Sequence, residues 1–171
     1  AYDLYFDDIG DWNTVGFKFG VSIGATFEER VALLCEDLNP NDVERMLLDI
    51  KAPNHIIDMA VWFCKMQNVI ESLTFEEGIG DTKELWTAIN SVSGWKNLDK
   101  LRKVAHLHLY AGDTGTYDCV SVVMQAVIAG AKIGFNDLDP KSREGLVGKE
   151  IGEAISHRRL EVLEELNLFP S

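Results

Sequence analysis

Four histidines, three cysteines and 28 carboxylates are the side chains with the chemistry to hold a metal or move a proton. Their spacing argues against most such roles. His106 and His108 stand two apart in a segment of helical periodicity, so they face different sides and cannot chelate one ion together. His55 and His157 are isolated. Cys35, Cys64 and Cys119 are widely spaced and odd in number, which fits reduced core thiols better than a disulfide frame or a zinc site. A two-metal polymerase centre gathers carboxylates on Mg²⁺ from a rigid sheet. The pairs Asp7-Asp8, Glu28-Glu29, Glu36-Asp37 and Glu76-Glu77 lack that strand setting and are expected to face solvent. Neither GIGD (78–81) nor GDTGT (112–116) has the Lys-Ser/Thr or strand–turn–helix context of a phosphate cradle. No catalytic residue and no metal ligand is assigned.

The cationic side chains are better candidates for a function. Lys96, Lys100, Arg102 and Lys103 gather near the start of one helical segment. Lys100 and Lys103 share a face at i, i+3, with Lys96 one turn earlier. In the last helical segment Arg158 and Arg159 lie midway and Lys149 falls in the first turn. A lysine at a helix start does not serve the dipole, which prefers anions there. Gly148 and Gly152 around it can instead bring backbone amides close to a phosphate. These seven residues are the candidate phosphate contacts, and the competing reading pairs them with the abundant carboxylates. The net charge of −12 argues against sequence-blind nucleic-acid binding, which needs a local positive field. Residues 1–86 hold 17 acidic and 6 basic side chains, and residues 87–171 hold 11 and 10, so only the second half could supply one.

These side chains need a frame. Hydrophobic residues make up 46% of the chain, enough to build a core. No run approaches about 18 uncharged apolar residues, so no membrane span is expected. The opening AYDLYFDDIGDW has no basic stretch ahead of an apolar block, so no secretory leader is expected and the cytoplasm is the expected location. Residues 1–26, rich in Gly and Asp, read as an irregular lead-in in which GFKFGVSIG could form a short strand. From Thr26 the pattern turns helical. Thr26 with Glu29 is a capping box, and Phe27, Val31, Leu34 and Leu38 are expected on one apolar face. Asn39-Pro40-Asn41 starts a second helix with Val43, Met46, Leu47 and Ile50 buried. Pro53-Asn54 precedes a long apolar helix running from Ile56 to Leu73, and a loop is expected over EEGIGD (76–81). Further helices are expected from Thr82 to Gly94, from Leu98 to Leu109, from Tyr117 to Ile133 and from Val147 to Leu166. Short loops between amphipathic helices imply an all-α array of about seven helices in two packed subdomains. The AGDTGT break at 111–116 is the expected hinge, dividing 27–110 from a helical tail at 117–171.

Several segments, taken in order, resemble one family. LLDIKAPNHIIDMAVWFCKMQNVIESL (47–73) resembles the helical part of class II, bacterial-type tRNA nucleotidyltransferases that carry an HD domain, where a Leu-rich helix ends in a V/A-P-N turn before an "I-x-D-x-A" helix. TKELWTAINSVSGWKNLDKLRKVAHLH (82–108) looks like the helix pair that follows, and EGLVGKEIGEAISHRRLEVLEE (144–165) is similar to the terminal "G-x-x-G-x-E-I-x-x-x-L-x-x-x-R" helix. Order and spacing hold over roughly 27–167.

The resemblance implies the C-terminal half of a CCA-adding enzyme or poly(A) polymerase relative, supporting the tRNA acceptor and T arms for a head domain that nothing here matches. Mg²⁺ and CTP or ATP are expected only with that head, and no cofactor with this chain. The resemblance also aligns ALLCEDL (32–38) with an A-L-x-H-D-L core: Glu36 stands for the His, Asp37 is kept, and FCKMQN (63–68) brings no second His. Region 27–110 therefore reads as a degenerate HD-like domain. A helical adaptor that binds a protein or nucleotide is the alternative reading.

Overall fold

A computed structural model describes residues 20–75, 78–79, 81–111 and 114–169. Most of the lead-in lies outside them, as do Asp7-Asp8 and Glu76-Glu77. The helix starts follow local chemistry. Thr26 caps α1 (Phe27–Leu34) with both bonds of the capping box, Glu29 N to Thr26 Oγ1 at 3.3 Å and Thr26 N to Glu29 Oε2 at 2.7 Å. Asn39 caps α2 (Pro40–Asp49) by accepting from Asn41 N, and Pro40 fills the first helical position, where no amide hydrogen is needed. Pro53 precedes α3 (Asn54–Glu71). Asp81 caps α4 (Thr82–Ser91) in a second capping box with Glu84, a start signal that a loop reading of 76–81 hides. After these come α5 (Leu98–Ala111), α6 (Thr114–Ala131), the short α7 (Pro140–Arg143) and α8 (Lys149–Leu166).

Seven helices of eight residues or more are present among the described residues, and the fold is all-α as expected. Just before and within the expected loop, β1 (Thr74–Phe75) and β2 (Gly78–Ile79) pair antiparallel, Thr74 opposite Ile79. The sixth helix begins at Thr114 rather than Tyr117, so the glycine-bearing break is shorter than its composition suggests.

The chain forms two compact units, each assembled from two stretches. One comprises the described residues of Ala1–Asn68 and Lys100–Asp113, the other those of Val69–Asp99 and Thr114–Ser171. The chain passes between units within α3, within α5 and at the break between α5 and α6. Residues 69–99 thus fold with the tail and not with the first half.

In the first unit Val31, Cys35, Val43, Met46, Leu47, Ile57 and Cys64 make one core from α1, α2 and α3. Two expected members of that core are corrected: Phe27 is 55% exposed and Ile50 is 45% exposed. Both sit at helix ends, where the turn of the chain carries them off the stripe, and Ala32 and Leu33 are buried instead. Leu109, expected inside α5, is likewise exposed.

In the second unit α4, α6 and α8 pack on one another and on the 3₁₀ turn Gly94–Lys96. Trp86 Nε1 donates to Ser156 O at 3.2 Å, tying α4 to α8. The end of α6 is fastened more tightly. Arg159 Nε donates to Gly130 O at 2.9 Å, and its guanidinium lies 5.5 Å from the Trp95 ring centroid. Trp95 in turn lies against Gly130, where an added Cβ would meet Cζ3 at 2.3 Å. Gly130→Ala is expected to lower stability by about 1–3 kcal/mol through overpacking. In a urea-unfolding cycle the loss should shrink when Trp95 is first shortened to Leu.

Candidate functional site

The cationic residues separate once the helices are in place. On α3, Asp58, Trp62 and Lys65 follow one another at i, i+4 and i+7, hence on one face. On α5, Lys100 and Lys103 share a face, and the two helices border a cleft of about 290 Å³ with Glu28 of α1. His55 and Met59 complete its α3 side. Lys100 Nζ lies 2.8 Å from Asp58 Oδ1 and 5.7 Å from the Trp62 ring centroid, while Lys65 Nζ lies 4.5 Å from the same centroid. Trp62 is only 6% exposed, so it forms a wall and not a stacking platform. The ion pair is half-exposed on both sides and contributes at most about 1 kcal/mol. Lys65 and His55 were absent from the sequence-based candidates. The legible signal was the i, i+3 step from Trp62 to Lys65.

The other candidates lie in the second unit, apart from exposed Arg102 on α5. Lys96 is exposed in the 3₁₀ turn. Lys149 meets Glu153 at 3.1 Å on a fully solvated face. Arg158 is held by Glu161 at 2.9 Å and Glu165 at 3.0 Å, both carboxylates keeping its guanidinium charged. With His157, Asp137 and Asp139 it lines a second cleft of about 390 Å³. Arg159 points the other way, onto the carbonyls at the end of α6, so adjacent arginines do different work. Gly148 opens α8 at φ 52°, a left-handed angle with open space around it. The structure therefore brings Lys100 and Lys103 together and sets Arg158 and Arg159 apart.

The segments that the resemblance aligns with HD motifs give Ala32, Leu33, Cys35, Phe63, Cys64 and Met66 to the core, while Asp37 is exposed. Cys64 Sγ donates to Cys35 O at 3.1 Å, and both thiols are fully buried. Burial pushes the Cys35 thiol up to about 12 and raises Cys64 as well. Asp37 adopts φ 67° just after α1. No cluster of three or more His, Cys, Asp or Glu side chains arranged to hold a metal occurs among the described residues. The two α5 histidines do take different faces. His106 Nε2 lies 2.8 Å from Glu29 Oε1, joining α5 to the capped start of α1. Burial opposes ionisation of Glu29, yet the Thr26 backbone N–H and His106 hold its carboxyl below the ordinary range. His108 stacks on Phe63 with ring centroids 4.2 Å apart and planes 5° apart, and its Nε2 lies 3.2 Å from Phe63 O.

No family model, no curated protein and no solved structure matches the chain.

Two predictions arise here. Burial pushes His108 down to about 4 against a weaker opposing hydrogen bond to Phe63, so the folded chain refuses a proton that the unfolded chain accepts near 6.5. Stability is full above about 6.5 and falls as the pH drops towards 4, by on the order of 3 kcal/mol. Urea midpoints between pH 7 and 4 should show that slope, and His108→Phe should flatten it. The Glu29 contribution is lost at lower pH still, as its depressed carboxylate takes a proton. Secondly, Cys35, Cys64 and Cys119 are all buried. The native protein should leave them unmodified by a thiol-disulfide reagent over minutes, while urea-unfolded chain reacts at three sites.

Proposed function

We propose that this chain is the non-catalytic helical portion of a tRNA nucleotidyltransferase-like protein. It would support the acceptor and T-arm stack of tRNA while a head domain outside these 171 residues performs CCA addition with Mg²⁺ and CTP or ATP. One observation carries the reading. The segments on which the resemblance rests fold with their expected punctuation: Pro53 ahead of α3, the α4 and α5 pair, and Gly148 opening α8. An array of this kind would read the A-form backbone by shape and charge and needs no base contacts. The cytoplasm is the matching location, and no described helix is long and apolar enough to cross a membrane.

A degenerate HD-type adaptor that binds a protein or nucleotide is the second reading, favoured by a separate observation. Lys149 and Arg158, candidates for phosphate, are engaged by carboxylates of their own helix. Filter-binding titration with tRNA at two salt concentrations separates the two. The RNA reading expects retention that weakens steeply as salt rises, because each phosphate contact releases counterions. Absence of retention at low salt overturns it and leaves the adaptor.

A further inference from the structure

We draw no further inference here: the strongest candidate, the cleft bordered by α1, α3 and α5, sets Lys100 and Lys103 against Glu28 and Asp58 in equal number, and nothing in the structure shows what fills it.

Discussion

Helix α3 cannot exist by itself in water. Through the first unit, its residues Ile56, Ile57, Ala60, Val61, Trp62, Phe63, Cys64 and Met66 are all buried, while Asn54, His55, Asp58 and Asn68 stay exposed. A helix with so wide an apolar surface needs neighbours on more than one side. The α1–α2 pair covers one side, where Cys64 meets the Cys35 carbonyl. Helix α5 covers another, where His108 lies flat on Phe63. Placing α5 there also brings Lys100 beside Asp58. The cleft is thus a by-product of a packing demand, and its charges ring a core helix.

That origin explains what could be read from the chain alone. Helix starts are local events, so Thr26 with Glu29 and Asn39-Pro40 announce themselves within four residues. Long apolar helices do the same through periodicity. The buried side of a short helix depends on where its neighbours stand. Phe27 and Ile50 fit an apolar stripe on paper and still face solvent at their helix ends. The units are non-local for the same reason: residues 69–99 join the tail because Trp86 reaches Ser156, seventy residues on.

The basic residues show the same limit. Spacing alone puts Lys100 and Lys103 on one face, and they do share a cleft. Spacing cannot show that Asp58, 42 residues away, takes Lys100, or that Arg159 serves the end of α6 while Arg158 turns to Glu161 and Glu165. Acidity in this chain is partly spent inside it, since carboxylates hold several of the 16 cations. The charge that a partner meets is therefore a local quantity, poorly represented by the total.

The junction of Trp95, Gly130 and Arg159 has a consequence for how such a sequence can drift. The indole excludes any side chain at 130, and the arginine uses both that indole and the Gly130 carbonyl, which Ile133 N shares. A change at Trp95 alters the packing against Gly130 and the contact with Arg159 together. In evolutionary terms they form a single heritable character spread over 65 positions. Substitutions there would be found together, as a compensated set, in any descendant that keeps this unit folded.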